Sequence, residues 1–177
     1  MSNLTRSLRK GLAGGRNMSV LQTVLIYQDL DAGLLAKRFC NRLEKDLDVK
    51  CQLNDRVWRF DVLAIPEVRN AAASAAANAN LVIFSKSDCT ELSEKVKEWL
   101  DMWMWLIDQG NPALIALFGA PRSESAPVCM QLQGATRSNG VDFFSTTIPK
   151  IAQSEEPRSM RKQLAHFEPA ILHGPFG

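Results

Sequence analysis

Short β-rich runs alternate with longer helix-like stretches along this chain, and each predicted strand ends in small or polar residues. The segments Val24–Tyr27, Leu81–Phe84 and Leu114–Phe118 are continuous apolar runs. Such runs are typical of parallel strands that helices cover on both faces. Because consecutive parallel strands need a crossover connection, the alternation predicts an α/β fold.

Five strands and four helices are predicted. The strands cover Val20–Tyr27, Val49–Leu53, Leu81–Ser85, Leu114–Phe118 and Val141–Ser145, and the helices cover about Ala32–Leu47, Pro66–Ala77, Leu92–Gln109 and Pro127–Ser138. Asn54-Asp55-Arg56 predicts a turn, and Val57–Phe60 is either an apolar plug or an extra short strand. The rules for α/β connections then favour a three-layer, doubly wound, flavodoxin-like sheet of order 2-1-3-4-5, with a Rossmann-type order as the alternative.

Length and charge divide the chain of 177 residues into three parts. We expect one α/β domain over residues 18–150, a flexible basic leader over 1–17, and a C-terminal tail over 151–177 that is able to pack back on the domain. The leader carries no acidic residue and four basic ones, Arg6, Arg9, Lys10 and Arg16. Four charges without interleaved aromatics are a weak nucleic-acid signal, so no nucleic-acid partner is expected.

The cysteines and the hydropathy pattern indicate a cytoplasmic protein. The four cysteines are scattered, at Cys40, Cys51, Cys89 and Cys129. This spacing fits free thiols in a reducing compartment better than a metal site or a disulfide scaffold. No apolar run reaches about 18 residues, so we expect no membrane partner.

A ligand site is expected where the strands end, near the switch in strand order. The polar and small side chains that this edge would gather for ligand binding are Asp29, Ser85, Lys86, Ser87, Gly119 and Thr146. Both histidines, His166 and His173, lie in the tail, and no strand-to-helix turn carries a glycine-rich phosphate loop. We therefore expect a non-catalytic protein with no cofactor and no metal site.

Over residues 20–150 the chain resembles the receiver domains of two-component signalling in its layout of alternating elements. In this resemblance Asp29 and Asp31 stand for the acidic pair that holds Mg²⁺. Ser85 takes the place of the phosphorylated Asp at the end of strand three, and Lys150 follows strand five too late. The resemblance implies a receiver-like binding or signalling module that is not phosphorylated.

A second resemblance supports an enzyme as the alternative. The strand that ends in Asp29-Leu30-Asp31 is similar to the first motif of haloacid-dehalogenase-like phosphatases, and Phe84-Ser85 is similar to the second. It implies a small Mg²⁺-dependent phosphohydrolase with Asp29 as nucleophile, Asp31 as acid/base and Ser85 as phosphate ligand. The chain departs from this family because a helix follows Asp31 at once and only Glu124 offers a final acidic motif.

Over about residues 20–110, which include the segment Trp58-Arg59-Phe60-Asp61, the chain resembles a set of uncharacterised bacterial α/β proteins, and the resemblance implies no particular activity. Farther along, the helix predicted over Leu92–Gln109 is apolar on more than one face. We expect part of it to form an interface, in a homodimer or with a protein partner, since aromatic and Met side chains are enriched at interface cores. The proposed interface residues are Trp99, Met102, Trp103 and Trp105. Cover by the C-terminal tail is the alternative.

Overall fold

The computed structural model describes residues 19–47, 51–107, 112–119 and 126–148. The strands are β1 (Ser19–Tyr27), β2 (Cys51–Arg59), β3 (Leu81–Lys86), β4 (Ala113–Phe118) and β5 (Asp142–Thr147). The helices are α1 (Leu30–Leu47), α2 (Pro66–Ala77), α3 (Glu94–Leu106) and α4 (Pro127–Ser138), and a 3₁₀ turn covers Phe60–Ala64. The predicted leader and tail lie outside the described residues.

The five strands form one parallel sheet with the order β2-β1-β3-β4-β5. This order confirms the prediction, and it is the order of flavodoxin and related doubly wound proteins. The chain therefore has a flavodoxin-like fold. β1 and β3 are neighbours in the sheet although β2 and α2 separate them in the sequence, so the order switches at β1.

Two apolar layers cover the two faces of the sheet. On one face α1 packs through its buried stripe, which includes Leu35, Phe39 and Leu43, onto alternate residues of the strands. On the other face α2, α3 and α4 pack over Val24, Ile26 and the remaining alternate residues. The alanines of α2 let this helix approach the sheet closely, because their side chains end at Cβ. None of the described helices is long and apolar enough to cross a bilayer.

The prediction of a turn at Asn54-Asp55-Arg56 is wrong, because these residues lie inside β2. β2 pairs with β1 from Cys51 to Arg59 without a break. It is the edge strand, so polar side chains there remain in contact with water or with neighbouring polar groups. The side-chain amide of Asn54 donates to Gln22 Oε1 at 2.9 Å, and Lys37 Nζ lies 2.8 Å from Asp55 Oδ2.

The helix predicted over Leu92–Gln109 is shorter in the structure, where α3 begins at Glu94 and its last residue is Leu106. Ser93 precedes it with extended backbone angles, and its backbone carbonyl accepts the N–H of Lys97 at 3.0 Å. Residues 108–111 lie outside the described part of the chain. The helix predicted at Pro127–Ser138 has the same bounds in the structure.

Two helical glycines should respond to alanine in opposite ways. A Cβ on Gly33 would lie 3.0 Å from the buried ring of Tyr27, whereas a Cβ on Gly134 would meet nothing within 4 Å. Gly134→Ala should raise the free energy of unfolding by about 0.5–1 kcal/mol, because alanine is the better helix former. Gly33→Ala should lower it by roughly 1 kcal/mol, because the Tyr27 ring must move. Urea unfolding checks both, and equal gains would contradict the close packing of Tyr27 on α1.

Candidate functional site

The candidate site lies where the carboxyl ends of β1 and β3 meet the first turn of α1. Tyr27 pairs with Ser85 as the last register pair of these two strands, and the backbone N–H of Gln28 donates to the carbonyl of Ser85 at 3.0 Å. The short connection from Tyr27 to Leu30 leaves only Gln28 and Asp29 between strand and helix. Side chains from the β1–α1 and β3–α3 connections are therefore held against each other.

Asp29 caps α1. Its Oδ1 accepts the backbone N–H of Ala32 at 2.9 Å, and its backbone carbonyl accepts the N–H of Gly33 at 2.9 Å. This is N-cap geometry, in which a side-chain oxygen satisfies a donor that has no partner within the helix. The same Oδ1 also accepts the hydroxyl of Ser87 at 2.8 Å. Asp29 therefore joins the start of α1 to the loop after β3.

Ser85 is fully buried and points at α1. Its hydroxyl donates to the carbonyl of Ala32 at 2.7 Å. The hydrogen bond fixes the end of β3 against the first turn of the helix. Because the hydroxyl is shielded from solvent and already engaged, Ser85 is a structural contact in this edge of the sheet.

Lys86 is a buried lysine, with only 4% of its side chain exposed. Its ammonium group forms an ion pair with Asp88 and donates to Thr90 Oγ1 at 2.7 Å. A buried lysine needs such partners, since taking an unpaired ammonium out of water is costly.

Asp88 is the acceptor at the centre of this network. It takes hydrogen bonds from Lys86, from the backbone N–H and hydroxyl of Thr90, and from Gln28 Nε2 at 3.3 Å. Gln28 closes the ring by accepting the N–H of Ser87 at 3.1 Å. Burial raises the pKa of Asp88, but these hydrogen bonds outweigh it and hold the pKa well below its usual range. The carboxylate therefore stays ionised.

Tyr27 contributes no base to this edge. The pKa of its hydroxyl is raised, mainly by burial. The charge of Arg59 lowers this pKa and the charge of Asp61 raises it, but burial has the largest effect. Arg59 and Asp61 form an exposed ion pair with Nε to Oδ1 at 2.7 Å. Arg59 is therefore an ion-pairing residue at the surface.

The structure brings together most of the predicted ligand-binding residues. Asp29, Ser85, Lys86 and Ser87 share the network, and the N–H of Gly119 donates to the carbonyl of Lys86 at 3.1 Å. A Cβ on Gly119 would lie 3.3 Å from the carbonyl oxygen of Ser87, so the two loops touch through their backbones.

Thr146 and Asp31 stand apart from this group. Thr146 is half-buried on β5, where it pairs with Leu117 of β4, and the strands β3 and β4 separate it from β1. Asp31 is exposed in the first turn of α1. The sequence analysis missed Asp88 and Thr90. The signal was the spacing Lys86-x-Asp88-x-Thr90, which places a carboxylate and a hydroxyl within local reach of the lysine.

The predicted interface residues separate into core and surface. Trp99 and Trp103 are fully buried, with ring centroids 5.4 Å apart, so their assignment to a surface interface is corrected. Both face the sheet because they are four residues apart on the buried stripe of α3. Trp105 is 83% exposed and Met102 is half-buried. These two remain available at the surface.

Comparison with known proteins found neither a family model nor a curated protein that matches this chain. Solved structures that are similar to it in fold include the following three. The Trp repressor binding protein of Bacillus subtilis has a TM-score of 0.46 and 13% identity over 73% of this chain and 85% of its own. A flavodoxin of Streptococcus pneumoniae TIGR4 has a TM-score of 0.46 and 13% identity over 84% of this chain and 94% of its own. Smu.1420 of Streptococcus mutans UA159 has a TM-score of 0.49 and 9% identity over 82% of this chain and 95% of its own.

The expectation of no cofactor is corrected by the fold, because its strand order is one that carries a cofactor site in flavodoxin. Flavodoxin holds flavin mononucleotide at the β1/β3 switch point of the same strand order. The residues present here fit the phosphate of such a cofactor poorly. Asp29 already accepts the N–H of Ala32, and Asp31 adds a second carboxylate to the first turn of α1. A phosphate at this helix N-terminus would face like charges.

Replacing Asp29 should mainly destabilise the protein. Asp29→Ala removes the cap of α1 and the acceptor of Ser87, so the free energy of unfolding should fall by about 1–2 kcal/mol. Asp31→Ala, at an exposed position in the same turn, is the control and should cost less. Urea unfolding measures both. If Asp29→Asn kept full stability and abolished a Mg²⁺-dependent hydrolysis of p-nitrophenyl phosphate by the wild-type protein, the phosphohydrolase hypothesis would be right.

The Asp88 network should weaken in acid. A carboxylate with a lowered pKa stabilises the fold above its unfolded-state pKa of about 3.9, and this stabilisation is lost as the pH falls toward the lowered value. Carbon-detected NMR titration should place the Asp88 midpoint below about 3.9. Lys86→Met should move it upward, because the ammonium partner is gone. An unchanged midpoint would show that the Lys86–Asp88 pair does not govern this carboxylate.

Proposed function

We propose that the protein is a non-catalytic binding or signalling module of the cytosol that associates with a second copy of itself. The observation that carries the proposal is the contrast between two regions. At the carboxyl edge of the sheet the chemically capable side chains are engaged with one another, whereas the end of α3 presents Trp105 to solvent.

The engagement of the strand-end residues argues against the phosphohydrolase alternative. A nucleophilic Asp29 would need to turn its carboxylate toward a phosphorus atom, but the hydrogen bonds that Oδ1 accepts from Ala32 and Ser87 hold the carboxylate against the start of α1. A phosphate-holding Ser85 would need a free hydroxyl, but this group donates into α1. Asp29 and Ser85 instead hold α1 against the end of β3 through hydrogen bonds, and this structural role fits a non-catalytic module.

The exposed end of α3 supports the binding role. Met102, Trp105 and Leu106 lie three and four residues apart and share one side of the helix. Leu106 and Met102 are half-buried, and Trp105 is exposed. Leaving a large apolar side chain in water forgoes roughly 1.5–3 kcal/mol, which a partner surface would recover. A second copy with the same helix is the simplest such partner, since two-fold interfaces use the same patch twice.

The thiols support a cytosolic location. Cys40 and Cys129 are buried and form no disulfide, and burial raises the pKa of the Cys40 thiol above its usual range. Buried cysteines that form no disulfide suit a reducing compartment, and a raised pKa makes the Cys40 thiol unreactive.

Trp105→Glu tests the proposal. Sedimentation equilibrium of the wild-type chain should give the mass of a dimer at tens of micromolar, and Trp105→Glu should give a monomer, because a charge on the contact face opposes burial. The far-UV circular dichroism should be unchanged, since Trp105 contributes nothing to the core.

The matched control is Leu30→Glu, which adds the same charge at an exposed apolar residue of another helix. This variant should remain a dimer. A wild-type chain that sediments as a monomer, or a Trp105→Glu variant that stays dimeric, would contradict self-association through α3.

A further inference from the structure

We propose a second site, away from the carboxyl ends of the strands and toward their amino ends, that binds a small aliphatic monocarboxylate through Arg56. The site is a cavity of about 210 Å³ between the sheet and the C-terminal end of α2. Its lining comes from β1, β2 and α2, and comprises Gln22, Thr23, Val24, Arg56, Ala75, Asn78 and Ala79.

The cavity exists because α2 covers β1 but leaves β2 open. Val24 pairs with Arg56 in the sheet, so the two side chains project on the same face. Val24 is buried beneath the helix, whereas Arg56 on the edge strand is exposed. A crevice therefore runs between the last turn of α2 and the row of β2 side chains on this face.

Arg56 is the chemical reason to expect an anion. Within the described part of the chain, its guanidinium has no hydrogen bond or ion pair, unlike Arg59 and Arg69, which pair with Asp61 and Glu98. A planar guanidinium matches the two oxygens of a carboxylate with two parallel hydrogen bonds. The Arg56 side chain is thus a donor at the rim of a cavity and is left for a ligand.

Gln22 can add a second donor. Its Oε1 accepts the amide of Asn54 at 2.9 Å, which leaves its Nε2 hydrogens unused by the described residues. The floor of the cavity is apolar, because Val24, Ala75 and Ala79 supply methyl groups. A ligand whose carboxylate accepts hydrogen bonds from Arg56 and Gln22, and whose short alkyl chain packs on this floor, would match both the polar donors and the apolar floor.

Charge and size narrow the ligand class. The C-terminal end of α2 lies at the cavity and carries the negative end of the helix dipole, which opposes any anion and opposes a dianion such as a phosphate monoester more than a monocarboxylate. One guanidinium balances one negative charge. The volume is below the roughly 300–1,000 Å³ of pockets that take drug-sized ligands, so the ligand is a few carbons long.

Titration of the ¹⁵N-labelled full-length chain with sodium butyrate tests this site. The side-chain amide signals of Gln22 and Asn78 and the Nε signal of Arg56 should shift saturably, with a Kd in the millimolar range. Butyramide has the same shape without the charge and should bind at least about tenfold more weakly, because it cannot form charge-assisted hydrogen bonds.

Arg56→Gln should weaken butyrate binding by at least about tenfold, and Arg56→Lys should lie between it and the wild type, because lysine keeps the charge but loses the fork. Arg42→Gln, at an exposed position of α1, should leave binding unchanged. Ala75→Leu fills the cavity while keeping Arg56, and this variant should not bind butyrate.

Three results would overturn the proposal: the absence of saturable shifts, equal binding by Arg56→Gln and the wild type, or equal binding of butyrate and butyramide. Tighter binding of butylphosphonate dianion than of butyrate would overturn the carboxylate class. The amide spectrum of each variant shows whether it is folded.

Discussion

The burial of β1 on both faces is the constraint on which the rest of this structure depends. Leu25 faces α1, while Val24 and Ile26 face α2 and α3, and all three are nearly inaccessible to solvent. A strand of this kind can lie only in the interior of a sheet with helices on both sides. The position of β1 between β2 and β3 then places the switch in strand order at its carboxyl end.

At that end Asp29, Ser85, Lys86 and Asp88 find hydrogen-bond partners within the chain. A helix N-terminus and converging strand ends generally attract anions. Here the carboxylate of Asp29 occupies the N-terminus of α1, and the carboxylate of Asp88 pairs with the buried Lys86. The cluster of polar residues that suggested a ligand site in the sequence is, in the structure, a set of ties between β1, β3 and α1. The open polar crevice lies at the other edge of the sheet.

The two edges differ because of what covers them. At the carboxyl edge the connections are short and press polar side chains against each other, so few donors remain free. At the amino edge α2 ends above β1, and edge strand β2 extends beyond its cover. Arg56 therefore has space around it and forms no ion pair with the described residues. Gln22 and Asn54, which bond each other across the two strands, complete the polar rim of this crevice.

Most of the fold was determined by the sequence itself, because continuous apolar runs and helical stripes depend only on local residue order. The α/β class followed from these patterns, and the rules for α/β connections favoured the strand order that the structure has. The tertiary structure alone decided that Asn54-Asp55-Arg56 continues β2, since pairing with β1 overrides local turn preference. It alone decided that Asp29 and Ser85 bond to other residues of the chain, and that Arg56 bonds to none of the described residues. Such choices depend on side chains distant in sequence, whose proximity no local pattern records.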